Sequence, residues 1–212
     1  MKTTCFFRSM RRLSCVATFT FFLYGVSGCA EPLTAVKEGD LIFHTSRSPL
    51  SQAIQEATSS RYSHMGIIFY RQDKPYVFEA SAKVEYTPLN TWIARGERKH
   101  YVVKRLKDIS LTPEDLAKMH KAADAYFGKP YDLAFEWSDD RLYCSELVWK
   151  IYQNALGIQI GKLQKIRDFN LDTPVVKKEL KARYGDHVPL DETVISPQAM
   201  FESPLLAVAA ER

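Results

Sequence analysis

Cysteine is nearly absent from this chain of 212 residues, with four in all, at positions 5, 15, 29 and 144. The first 28 residues hold no acidic side chain, yet they carry Lys2, Arg8, Arg11 and Arg12. The longest apolar run, Leu13 to Gly25 (LSCVATFTFFLYG), falls short of the roughly 20 residues that a membrane-spanning helix needs. Internal repeats and low-complexity tracts are lacking, which excludes a solenoid and argues against disorder. No basic stripe with interleaved aromatics is present, so no nucleic-acid partner is expected. What remains is ordinary globular material, 46% hydrophobic and 25% charged, enough for one domain with a sizeable core.

A basic start followed by a short apolar run is the pattern of a secretory signal peptide. The run ends in Val26-Ser27-Gly28-Cys29, which resembles the bacterial lipobox. That resemblance implies cleavage after Gly28 and lipidation of Cys29. Ala30 follows, where an Asp would imply inner-membrane retention, so the expected place is the outer membrane, facing the periplasm. A plain signal peptide cut elsewhere is the alternative. The expected divisions are a lipoprotein signal at 1–28, a tether at 29–37 and one domain at 38–212. Removing residues 1–28 takes four of the 29 basic side chains and none of the 25 acidic ones, leaving a formally neutral mature chain.

The cysteines then reduce to one. Cys5 and Cys15 leave with the signal and Cys29 carries the anchor, so the mature domain holds Cys144 alone. No internal disulfide or multi-cysteine zinc site can form, and Cys144 is either a reactive thiol or an inert buried one.

Along the mature chain, LIFH after Gly39-Asp40 reads as a buried strand, and Ser48-Pro49 as a helix start. His64 to Tyr70 and Pro75 to Ala80 read as a hairpin across the polar link Arg71 to Lys74. Residues 86–95 read as a loop with a short helix after Pro88, and Tyr101 to Arg105 as a third strand. Thr112-Pro113-Glu114-Asp115 is a strong helix start. A further helix runs from about Leu142 to Leu156 and closes at Gly157, with Asp139 and Asp140 as capping acids before it. Thr173-Pro174 opens a charged helix expected to be solvated, and residues 186–212 read as mostly irregular, with a short helix after Pro197. Strands and helices segregate, so the fold class is α+β.

Cys144 falls in the first turn of its helix, where the dipole and free N–H groups stabilise a thiolate and can bind an oxyanion. A thiolate hydrolase needs a base. Among the five histidines, His100, His120 and His187 read as surface residues, His44 is open, and His64 is the best placed. A two- or four-residue hairpin loop sets Gly66 opposite Glu79, which puts Glu79 diagonal to His64 on one sheet face. A carboxylate there orients the imidazole. A three- or five-residue loop would turn Glu79 to solvent instead.

GDLIF (Gly39 to Phe43), YSHMGI (Tyr62 to Ile67), YVFEA (Tyr76 to Ala80), GKPYD (Gly128 to Asp132) and YCSELVWKIYQNALG (Tyr143 to Gly157) resemble the YaeF/YiiX family over roughly residues 37–205. Its members are circularly permuted relatives of papain-like, NlpC-type cysteine peptidases and amidases. The resemblance implies a permuted papain-like fold with a small antiparallel sheet packed with helices. It implies Cys144 as nucleophile, His64 as base and Glu79 as the orienting residue, with no metal or organic cofactor. The leading expectation is an amidase or peptidase acting on peptides, peptidoglycan among them. The alternatives are a lipid-active acyltransferase or esterase working on a lipid amide or ester, and a non-catalytic lipoprotein that binds the cell wall.

Overall fold

In the computed structural model, Met1 and residues 36–212 are described. The expected signal run, the lipobox-like VSGC with Cys29, and most of the expected tether lie outside the described residues. No helix among the described residues is long and apolar enough to cross a membrane.

Six strands form one antiparallel sheet: β1 (Leu41–His44), β2 (His64–Arg71), β3 (Lys74–Ala80), β4 (Val84–Pro88), β5 (Val102–Leu106) and β8 (Leu206–Glu211). Their order across the sheet is β4-β3-β2-β1-β5-β8. A second ladder joins β6 (Gln164–Lys165) to β7 (Thr193–Val194). The helices are α1 (Pro49–Thr58), α2 (Leu89–Arg95), α3 (Pro113–Asp124), α4 (Cys144–Leu156), α5 (Pro174–Tyr184) and α6 (Pro197–Phe201).

Local chemistry accounts for most of these boundaries. The Ser48 side chain accepts from Ser51 N at 3.2 Å and Pro49 opens α1. Thr112 and Asp115 form a reciprocal capping box at the start of α3. Gly157, in the left-handed region, ends α4. Gln72 and Asp73, at φ 50° and 58°, make the two-residue turn between β2 and β3, with Arg71 paired to Lys74. Positive φ at both turn residues matches the right-handed twist of the strands. The expected even-length loop is therefore present, and the Ile67–Phe78 pairing continues to place Gly66 opposite Glu79.

The sheet is covered on both faces. On one, Phe43, Met65, Ile67, Phe69 and Phe78 pack against the apolar stripe of α4, Leu147, Val148, Ile151 and Tyr152. On the other, Ile42, Ile68, Val77 and Val103 pack against Leu89, Trp92 and Ile93 of α2. The Tyr152 hydroxyl donates to the Gly39 carbonyl, tying α4 to the turn that enters β1. That turn needs glycine, because Gly39 sits at φ +83°.

Three elements differ from expectation. Residues 84–88 form β4, because they complete the ladder on β3 that the loop reading left unpaired. The chain after residue 186 is not irregular: β8 pairs with β5 and closes that edge of the sheet, making β5 a central strand. The charged helix α5 is not simply solvated. Val176 is buried, and Leu180 and Tyr184 face an apolar cleft shared with α1.

Candidate active site

Cys144 is the first residue of α4 and is buried, 3% exposed. The Tyr143 hydroxyl accepts from Ile195 N at 3.0 Å, so it is turned away from the N-terminus of α4 and no side chain caps that end from the N-cap position. Amides of the first turn therefore stay available to an incoming anion. Behind the thiol, Lys150 anchors the preceding loop by donating to Ser138 O at 2.5 Å and Asp139 Oδ1 at 2.7 Å. Asp139 thus serves as a partner of Lys150 rather than as a helix cap. Lys150 Nζ also lies 2.9 Å from Glu146 Oε1, off the hydrogen-bonding direction. Burial pushes the Glu146 carboxyl up to about 7, against the pull of Lys150.

His64 begins β2, and its imidazole is close enough to Cys144 for the thiol to favour its charged form. Nε2–H donates to Glu79 Oε2 at 2.6 Å, which leaves Nδ1 for the thiol. Burial opposes a charge on His64, but Cys144 and Glu79 override it and raise its pKa to about 10. Glu79 is wholly buried. Burial would raise its pKa, yet His64, Thr87 and Arg95 together bring it down to about 2.

The structure thus brings Cys144, His64 and Glu79 together. It also adds three residues that sequence reasoning missed. Thr87 Oγ1 donates to Glu79 Oε1 at 2.5 Å, Trp92 Nε1 to Oε2 at 2.9 Å, and Arg95 Nη2 to Oε1. All three come from β4 and α2, the stretch read as a loop with a short helix after Pro88, and that reading gave no sign that they meet Glu79. Gly66 lets the strands close here, since a Cβ would meet Phe78 O at 2.7 Å and Glu79 Cβ at 3.3 Å.

His44 was left open by the sequence. It pairs with His64 across β1 and β2, and its ring stacks on Trp92 at 3.8 Å. Burial, then the charge of His64, lowers its pKa to about 2, so it stays neutral. His120 bonds Glu38 at 2.7 Å, His187 is exposed, and neither touches the site.

An apolar cleft opens beside the thiol. α1 contributes Leu50, Ile54 and Ala57, α5 contributes Leu180, and Phe135 and Phe169 close the walls. Glu179 and Arg183 are its charged residues, and they pair with each other at 3.2 Å. Tyr131 also lines the cleft, and no hydrogen bond engages its hydroxyl among the described residues. Burial and the neighbouring Cys144 raise the Tyr131 pKa well above the ordinary tyrosine range, so the phenol keeps its proton.

Comparison with known proteins gives the family. Residues 35–209 match the model of a family described as permuted papain-like amidase enzyme, YaeF/YiiX, C92 family. The chain is 54% identical over 173 residues to the uncharacterized protein YiiX of Escherichia coli (strain K12), covering 82% of this chain and 85% of that one. The crystal structure of the metalloprotein yiiX from Escherichia coli O157:H7 superposes with a TM-score of 0.81 at 53% identity, covering 83% of this chain and 97% of that chain. By sequence and by fold, this chain belongs to the YaeF/YiiX family of permuted papain-like amidases.

Proposed function

We propose that the chain is a cysteine hydrolase that cleaves an amide or ester through an acyl-enzyme on Cys144. The observation that carries this reading is the cluster of Cys144, His64 and Glu79, in which Glu79 holds the imidazole at 2.6 Å and the thiol sits at the open N-terminus of α4. The thiolate attacks the substrate carbonyl carbon, and the first-turn amides receive the developing oxyanion. The C–N or C–O bond breaks as His64 gives its Nδ1 proton to the leaving group. Neutral His64 then takes a proton from water, the hydroxide displaces the thiolate, and the acid product leaves. Glu79 holds the imidazole through Nε2 in both steps.

Tyr131 fits as a further donor to the oxyanion, since its free hydroxyl lines the same cleft as Cys144. Tyr131→Phe is expected to lower kcat by about 10²-fold with little change in KM. Steady-state kinetics of the two proteins check this, and an unchanged kcat would remove Tyr131 from the reaction.

One observation favours the lipid-active reading over peptidoglycan peptides. The walls beside Cys144 are apolar, and the cleft's charged pair is already satisfied internally. Such a groove suits an aliphatic acyl chain better than a polar peptide. Intact-mass analysis after incubation with phospholipid, with an N-acyl amide and with peptidoglycan fragments separates these substrates. An acyl thioester on Cys144 from either acyl donor supports the reading, and release from peptidoglycan alone would overturn it.

We further propose that Cys29 is lipidated and holds the domain at the periplasmic face of the outer membrane, which would keep the cleft near lipid. Support comes from the lipobox-like VSGC and the apolar run before it. Among the described residues, no group of three or more His, Cys, Asp or Glu side chains is placed to hold a metal ion.

A further inference from the structure

Glu79 combines two properties that oppose each other: it is fully buried and it is charged. Every lone-pair direction is occupied. Oε2 takes His64 Nε2–H and Trp92 Nε1–H, and Oε1 takes the Thr87 hydroxyl and Arg95 Nη2. Two of these donors are neutral and one is the imidazole itself. Arg95 is the fixed cation of the set. It is the last residue of α2, where the helix dipole also favours a positive charge. Its side chain is 43% exposed, so it reaches the buried carboxylate from the surface.

The other titratable groups around the pair come from four places. β1 presents His44, which stays neutral, and β3 presents Glu79. α4 presents Cys144 itself, and the segment before it presents Tyr131 and Tyr143, which both keep their protons. Besides His64 itself, Arg95 is therefore the cation in this shell that offsets the charge of Glu79.

We propose that Arg95 is a positioning residue that acts through Glu79, sharing the carboxylate's charge and so setting the pH window of the Cys144–His64 pair. The inference rests on the hydrolase reading of that pair. A bare carboxylate would bear its whole negative charge on the pair. It would hold the imidazolium proton more tightly and would disfavour the thiolate. Both effects push proton release from the pair to higher pH, and the first makes His64 a poorer acid toward the leaving group. Paired with Arg95, Glu79 still orients Nε2 but exerts a weaker field. A half-exposed charge, one carboxylate away, moves such a titration by about half a unit to one unit.

The test is the rate of iodoacetamide alkylation of Cys144 against pH, on the full chain and on Arg95→Met, Arg95→Gln and Arg95→Lys, with thermal melts to establish folding. Met and Gln are expected to shift the profile upward by about half a unit to one unit. Lys, which keeps the charge, is expected to restore it. Histidine Cε1–H titrations by NMR should show the same displacement for His64. Folded Met and Gln variants with the wild-type profile would overturn the inference. So would a Gln variant that matches wild type while Met shifts, because that would assign the effect to the hydrogen bond and not the charge. If Met does not fold, Gln against Lys decides. A wild-type Cys144 no more reactive than a free thiol would overturn the hydrolase reading together with this one.

Discussion

His64→Ala is expected to lower kcat/KM by about 10²- to 10⁴-fold, the range of a lost general acid–base, while Cys144→Ala abolishes turnover. The cause is a double loss. His64 supplies the counter-charge for the thiolate and the proton for the leaving group, and no second histidine can replace it. His44 is the nearest, with its ring 5.3 Å from that of His64, but it is stacked on Trp92 and held neutral. The effect is measurable without a substrate. An ordinary thiol is only a few per cent ionised at pH 7, so alkylation of Cys144 should fall by about 10-fold or more in His64→Ala. Turnover in the wild type should also decline as pH rises through about 10, where the imidazolium gives up its proton. An alkylation rate indifferent to His64 would sink the assignment of nucleophile and base together.

Glu79→Ala is expected to destabilise the fold by about 3–5 kcal/mol, the range for breaking one side of a buried ion pair. The loss strands the Trp92 indole N–H and the Thr87 hydroxyl inside the α2 core, where neither has another acceptor. Arg95 can turn to solvent and adds little to the penalty. The pH dependence gives a second reading of the same residue. The folded Glu79 titrates at about 2, below its ordinary value of 4.5. A depressed carboxyl contributes stability that is present above 4.5 and is lost as pH falls through about 2, amounting to about 3 kcal/mol. Urea unfolding of wild type and Glu79→Gln between pH 5 and 2 measures it. The wild-type curve should fall more steeply than the variant's, and parallel curves would show that Glu79 is not held ionised.

The hairpin shows how far local rules carry. Alternation and an even-length polar link are enough to put His64 and Glu79 on one face, because the period of a strand is two and an antiparallel turn fixes the register. The same rules are silent about which face. The pair lies on the α2 side with Ile42, Ile68 and Val77, whereas Cys144 belongs to the core on the α4 side. His64 reaches both because it is the first residue of its strand.

Caps and glycines marked the starts of α1, α3 and α5 and the end of α4, since those signals act within a turn of the chain. The clamp on Glu79 left no such mark. Thr87, Trp92 and Arg95 lie 8, 13 and 16 residues from Glu79, and each was unremarkable in its own segment. The charged helix α5 misled for a related reason: its composition is polar, yet Val176, Leu180 and Tyr184 line the cleft once α1 packs beside them.

The sequence by itself marked Cys144 at a helix start, His64 as the best-placed histidine and the shared face of His64 and Glu79. These follow from counting and from periodicities of a few residues. Only the tertiary structure decided that Glu79 is buried, charged and clamped by α2, that β8 closes the sheet, and that the thiol opens on an apolar cleft. Each of those depends on contacts between segments far apart in the chain, and no local preference encodes which distant surface will cover a side chain.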